Sequence, residues 1–159
     1  MNEAVALVIH QLGALVALAK YFNQFIRYVK PHGALYHIAM GDAQIASAFG
    51  IAAQSFGIRQ FVGLPDSIAE QALDSDFHYI REGFADRRYL PDGTLVPRSE
   101  PNAVIHDAKE VVDQVEWLVR EKQVRTICVH GDTPGAVEFV RQVRGYLLDR
   151  GHEIKPFAG

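Results

Sequence analysis

The stretch Arg125-Thr126-Ile127-Cys128-Val129-His130-Gly131-Asp132-Thr133-Pro134-Gly135-Ala136 reads as a strand, a polar turn and the start of a helix. Arg125 to His130 is a short apolar run of the kind a buried parallel strand shows. Pro134 suits the first helical position, where its missing N–H costs nothing, and Gly151 suits the far end. A strand followed directly by a helix is the unit from which parallel α/β proteins are built.

The same alternation recurs through the rest of the chain. A helix is expected from about Glu3 to Phe22, with Val5, Val8, Leu12, Leu15, Ala19 and Phe22 at helical spacing. Phe25 to Lys30 reads as a strand, Leu35 to Phe56 as a helix stopped at Gly57, and Gln60 to Gly63 as a strand. Ser67 to Leu73 follows as a short helix capped by Ser67 or Asp66, and His78 to Glu82 as the third strand. Gly83 to Asp107 is the longest irregular stretch, with a Pro91-Asp92-Gly93 turn signal, and loops of this length are usually functional. Asp107 opens a helix with Glu110 three residues on; its expected core face is Val111, Val112, Val115, Leu118 and Val119. Glu153 to Phe157 is the candidate last strand.

At 159 residues the chain is long enough for one domain, and it is read as a single domain over 1–159. Sixteen basic against nineteen acidic residues, with no basic run, argue against a nucleic-acid partner. One cysteine excludes an internal disulfide framework and fits a reducing cytoplasm. The apolar segment Ala4 to Ala19 follows Glu3 rather than a basic cluster and is interrupted by His10 and Gln11. It is therefore read as a buried helix, or an interface between subunits, rather than a signal peptide or membrane span.

Polar residues gather where three strands end: Lys30 and His32, then Glu82, Asp86, Arg87 and Arg88, then His130 and Asp132. In parallel α/β proteins that edge carries the active site. Alternation along a strand puts Tyr28 with Lys30, His78 with Glu82 and Cys128 with His130. If those faces point inward, an amine, a carboxylate and an imidazole share one pocket. Such a set suits acid–base chemistry, with Lys30, Arg87 or Arg88 holding an anion. Each residue also has a plainer role. His32 and His130 can be hydrogen-bonded structural residues, Asp86 and Asp132 turn or cap residues, and Cys128 ordinary core. A metal site from His32, His130, Glu82 or Asp132 is open, but no spacing is diagnostic. The residues alone define a hydrolase-like or transferase-like site.

Four longer motifs sharpen this reading. They are Val29-Lys30-Pro31-His32-Gly33-Ala34-Leu35-Tyr36, Glu82-Gly83-Phe84-Ala85-Asp86-Arg87-Arg88-Tyr89, Asp92-Gly93-Thr94-Leu95-Val96-Pro97-Arg98 and Cys128-Val129-His130-Gly131-Asp132-Thr133-Pro134-Gly135-Ala136. Together they resemble the LamB/YcsF family, which supplies the A-subunit of the prokaryotic ATP-hydrolysing 5-oxoprolinase. The resemblance implies an α/β fold, a parallel β/α barrel of the seven-stranded deacetylase-like type. Here the barrel is expected to be incomplete, the chain being its C-terminal portion with the early strands missing. It further implies ring opening of 5-oxo-L-proline to L-glutamate coupled to ATP hydrolysis, with a divalent metal possible. Subunits B and C are the implied partners, self-association is open, and neither membrane nor nucleic acid is expected. By motif position, His32 and His130 are assigned acid–base work. Lys30, Arg87 and Arg88 hold anions, and Glu82, Asp86 and Asp132 orient them or water. The competing readings are a metal-dependent deacetylase or carbohydrate hydrolase on a related barrel, and a non-catalytic remnant that docks partner subunits.

Overall fold

A computed structural model describes residues 3–73, 77–132 and 135–157. The chain divides into two compact units, Met1–Ile80 and Arg81–Phe157, with the boundary inside a strand. Each has its own α/β organisation and parallel strand pairing.

In the first unit, helix α1 (Glu3–Tyr21) leads to strand β1 (Tyr28–Val29), helices α2 (Ala34–Gly41) and α3 (Ala43–Ser55), strand β2 (Gln60–Gly63) and helix α4 (Ile68–Ala72). β1 and β2 pair in parallel, Tyr28 opposite Gln60 and Val29 opposite Phe61. The first strand is thus shorter than Phe25 to Lys30, and Phe25 is exposed. The single helix expected over Leu35 to Phe56 is two. Asp42 adopts an extended backbone, and its carboxylate accepts the N–H groups of Gln44 and Ile45 at 2.7 and 3.1 Å. An aspartate that bonds its own backbone breaks one helix and caps the next. Gly57 ends α3 in the left-handed conformation, with the Ile58 N–H on the Ala53 carbonyl. The Ser67 hydroxyl caps α4 by accepting the Glu70 N–H. Within a core made mostly of alanine and aliphatic residues, Phe61 is fully buried, edge-on to Phe49 and stacked on Tyr79 at 5.7 Å.

α1 is not the buried helix expected from its composition. Only Val5, Val8 and Leu12 are buried, whereas Leu15, Leu18, Tyr21 and Phe22 are exposed. The helix packs on α3, and Gly13 already lies against Phe56, the residue that ends α3. Nineteen residues rise about 28 Å against about 20 Å for the thirteen of α3, so the second half of α1 overhangs its support. By length and composition, with a mean hydropathy of 1.6, α1 is also apolar enough to cross a membrane.

In the second unit, strand β3 (His78–Phe84, which begins in the first unit), helix α5 (Ala108–Glu121), strand β4 (Thr126–Cys128) and helix α6 (Ala136–Asp149) follow in order. β3 and β4 pair in parallel, Glu82 opposite Thr126 and Phe84 opposite Cys128. Asp107 caps α5, its carboxylate accepting the Glu110 N–H at 2.8 Å. Val111, Val112, Val115 and Leu118 form the buried face as expected, but Val119 is 37% exposed. At about 100° per residue Val119 falls in the same sector as the buried Val112 and Val115, so its exposure goes with its place in the last turn of α5, two residues before Glu121, rather than with its face. Val143 and Leu147 of α6 close this core with Ala85 and Ile105. The expected Pro134 helix start lies outside the described residues; Gly151 ends α6 with positive φ, and the His152 N–H donates to the Leu147 carbonyl. Residues 153–157 are irregular rather than a last strand, since no described strand pairs with them.

The long segment after β3 is tied down from within. Asp92 accepts from the backbone and hydroxyl of Thr94, Gly93 takes positive φ, and Tyr89 bridges Leu95. This is the turn signalled by Pro91-Asp92-Gly93.

Candidate active site

The β3–β4 register decides the site. Partners differ by 44 residues, so extending the ladder two steps past Phe84 and Cys128 sets Asp86 against His130. Both lie just beyond the C-terminal ends of their strands, the edge where parallel sheets carry chemistry. Asp86 is 5% exposed, and its carboxylate makes two kinds of bond to His130. One oxygen accepts the His130 backbone N–H at 2.8 Å, and both lie 2.9–3.0 Å from Nδ1. A carboxylate only accepts, so Nδ1 carries a proton, and in the neutral ring Nε2 is then the nitrogen with the lone pair. The imidazole is further fixed by stacking on Phe84, centroids 5.6 Å apart and planes 17° apart.

A cleft of about 350 Å³ adjoins this pair, lined by Asp86, His130, His106 and, from α6, Glu138, Phe139 and Gln142. That size suits a small organic molecule. An oriented imidazole beside such a cleft is equipped to take a proton from water or a substrate.

The other expected site residues have definite places. Glu82 is buried on β3. Arg87 is 2% exposed and donates to the carbonyls of Val96 and Ala103, holding the long loop. Burial lowers its pKa, neighbouring Arg98 adds to this, and Asp86 opposes it. Arg88 pairs with Glu110 on α5. Asp132 is exposed and accepts from Arg98 at 2.7 Å, which draws its pKa down. Lys30 and His32 belong to the first unit; Lys30 Nζ sits 5.8 Å from the centre of the Tyr36 ring, and His32 is exposed. Among the described residues, no group of three or more His, Cys, Asp or Glu side chains gathers as a metal site.

Three residues at this edge escape the sequence reading. The Gln114 amide nitrogen of α5 lies 2.8–2.9 Å from the carbonyls of Phe84, Ala85 and Arg87, which share its two protons. The Tyr89 hydroxyl accepts the Phe84 N–H at 2.7 Å, and burial pushes its pKa up. Arg98 is the partner of Asp132. Gln114 sits among ordinary helical residues, where only the fold reveals its partners. Tyr89 and Arg98, by contrast, end two of the quoted motifs, Glu82 to Tyr89 and Asp92 to Arg98.

Fold and site together define a class: a parallel α/β protein with a carboxylate-oriented imidazole at the C-terminal strand edge. The LamB/YcsF family model matches residues 1–159. The chain is 42% identical to the 5-oxoprolinase A-subunit of Paracidovorax citrulli, over 98% of this chain and 68% of that relative. It is 39% identical to the 5-oxoprolinase A-subunit of Pyrococcus furiosus, over 98% and 66%. The crystal structure of the lactam utilization protein from Thermus thermophilus superposes with a TM-score of 0.79 at 34% identity, covering 98% of this chain and 67% of that one. The chain belongs to the LamB/YcsF family and spans about two thirds of the length of these relatives.

Proposed function

We propose that the chain acts as the A-subunit of a 5-oxoprolinase, opening 5-oxo-L-proline to L-glutamate with ATP as co-substrate and subunits B and C as partners. The observation that carries this is the Asp86–His130 pair beside a small-molecule cleft, in a chain whose relatives are named as the A-subunit of 5-oxoprolinase. The reading includes the β/α barrel that the resemblance implies and a cytoplasmic location.

A five-membered lactam is a resonance-stabilised amide, so its hydrolysis gains from activation. Transfer of the γ-phosphoryl group to the lactam oxygen releases ADP and leaves the ring carbon electrophilic. His130 Nε2 takes a proton from water as it adds to that carbon, and Asp86 stabilises the imidazolium that forms. The imidazolium returns the proton to the ring nitrogen as the C–N bond breaks. A second water releases phosphate from the resulting acyl phosphate, giving glutamate. Arg88 is assigned to an anionic group, and Lys30 and His32 of the first unit keep, from motif position alone, the anion-holding and proton-transfer roles. Arg87, Glu82 and Asp132 are assigned to orienting the site. With a single carboxylate and a single imidazole at the pair, no step is routed through a metal.

The test is reconstitution with subunits B and C, reading ADP formed in response to 5-oxoproline. Asp86→Asn keeps the shape but removes the charge that stabilises the imidazolium, and it is expected to lower kcat by about 10²–10⁴-fold. Full activity of Asp86→Asn or of His130→Gln in the assembled complex would refute the assignment, and full activity of His32→Ala would remove His32 from it.

A further inference from the structure

We propose that Gln114 is a positioning residue for the Asp86–His130 pair, resting on the site reading above. In a parallel ladder the residue that donates to one partner carbonyl also accepts, through its own carbonyl, from the N–H two residues further along. Ala85 donates to the Cys128 carbonyl at 2.9 Å, so its own carbonyl is due to accept from the His130 N–H. It does not continue that ladder. The Gln114 side-chain amide nitrogen lies 2.9 Å from the Ala85 carbonyl and 2.8 Å from each of those of Phe84 and Arg87, its two protons shared among the three. The His130 N–H goes instead to the Asp86 carboxylate, at 2.8 Å.

Three carbonyls from residues 84, 85 and 87 converge on one nitrogen, which a straight strand with alternating carbonyls cannot arrange. The backbone therefore curls around Gln114. The one carbonyl of this turn that Gln114 does not take, that of Asp86, accepts the Ile105 N–H at 2.9 Å. The curl carries Phe84, on which the imidazole stacks, and Asp86, which holds Nδ1. Gln114 ends the β3–β4 ladder one bond early and so turns His130 from a strand residue into a held base. Glutamine is the residue type this needs. Asparagine is one methylene shorter, and glutamate and leucine have no donor.

The experiment uses Gln114→Leu, Gln114→Asn and the control Asp107→Ala, which weakens the N-terminus of α5 without touching the three carbonyls. The first readout is the tautomer of His130 in the free chain, from imidazole ¹⁵N shifts and long-range proton couplings. The parent chain is expected to hold Nδ1–H. Gln114→Leu is expected to move the population toward Nε2–H, while Asp107→Ala leaves it in place despite a lower Tm. Gln114→Asn is read the same way, and it decides the matter if Gln114→Leu does not fold. The second readout, in the complex with subunits B and C, is kcat against KM. kcat is expected to fall by about tenfold or more at nearly constant KM, the usual cost of losing an outer-shell partner. An unchanged tautomer in a folded Gln114 variant overturns the proposal. So does a tautomer shift in Asp107→Ala equal to that in the Gln114 variants. Because the tautomer is read without substrate or partners, a complex lacking 5-oxoproline-dependent activity would refute the proposed function and leave this result standing.

Discussion

Gly83 and Leu118 form a pair whose substitution effects must oppose each other. Leu118 of α5 is fully buried. A Cβ placed on Gly83 of β3 would lie 2.8 Å from its Cδ1, 3.3 Å from its Cδ2 and 3.3 Å from the Ile127 Cδ1. Comfortable carbon contacts are about 3.5–4.0 Å, so Gly83→Ala overlaps Leu118 by close to 1 Å. Gly83 has no positive φ, so its backbone accepts alanine and the cost is steric alone. Overpacking of this kind costs about 1–3 kcal/mol, offset by about 0.4–1 kcal/mol from a less flexible unfolded chain. Leu118→Ala removes the obstructing atoms and leaves a cavity, for a loss of about 3–4 kcal/mol. In the double variant the clash is gone and the new methyl partly fills that cavity. The double variant is therefore expected to be at least as stable as Leu118→Ala alone, about 2 kcal/mol better than the sum of the singles. Urea unfolding followed by circular dichroism measures all four corners of the cycle. With a slope of about 2 kcal/mol per molar, Leu118→Ala lowers the midpoint by about 1.5–2 M, and Gly83→Ala restores part of that shift only in its background. Additivity within about 0.5 kcal/mol would refute the close approach of β3 and α5 on which the argument rests.

Other expectations are narrower. Asp42→Ala should cost about 1 kcal/mol by releasing the α3 cap, with Asp42→Asn keeping most of it; equal thermal melts for both variants would remove the cap from the account. Glu116 is held below its ordinary value of 4.5 by hydrogen bonds from Arg150 and then His152, and Asp132 below 3.8 by Arg98. A lowered folded-state pKa stabilises fully above the unfolded value and is lost as pH falls through the folded one, so both contributions fade in acid below those values. Carboxyl NMR titrations should show Glu116 rising in Arg150→Ala and Asp132 rising in Arg98→Ala, and unmoved midpoints would contradict the pairings. Tyr89 is pushed upward by burial, so its contribution is complete below the unfolded phenol value of 10.0 and is lost as pH rises beyond it. Tyr89→Phe should flatten that alkaline loss in a pH-dependent melt.

Much of the architecture is legible in short windows because its causes are short-range. Gly57 and Gly151 end helices, Ser67 and Asp107 begin them, and Pro91-Asp92-Gly93 turns, each through bonds within four residues or so. The valine stripe of α5 shows its buried face by period alone, up to Val119. Where local signals compete, reading is harder. Asp42 lies inside an apolar run whose period continues across it, and only its extended backbone shows that capping prevailed over helix continuation. Composition likewise marks α1 as apolar but not how much of it finds cover, since cover depends on the length of α3.

The site divides in the same way. His130 and Asp86 are each visible as polar residues ending apolar strands, and the chemistry each can do is set by residue type. Their partnership is not visible, because they are 44 residues apart and alternation alone matched His130 with Cys128 and left Asp86 open as a turn residue. The β3–β4 register joins them, and Gln114, from a helix between the two strands in sequence, ends the ladder where they meet. Local propensity and side-chain chemistry were thus determined by the sequence alone. Which donor meets which acceptor was decided only by the tertiary structure, because a hydrogen bond needs about 3 Å in space and is indifferent to separation along the chain.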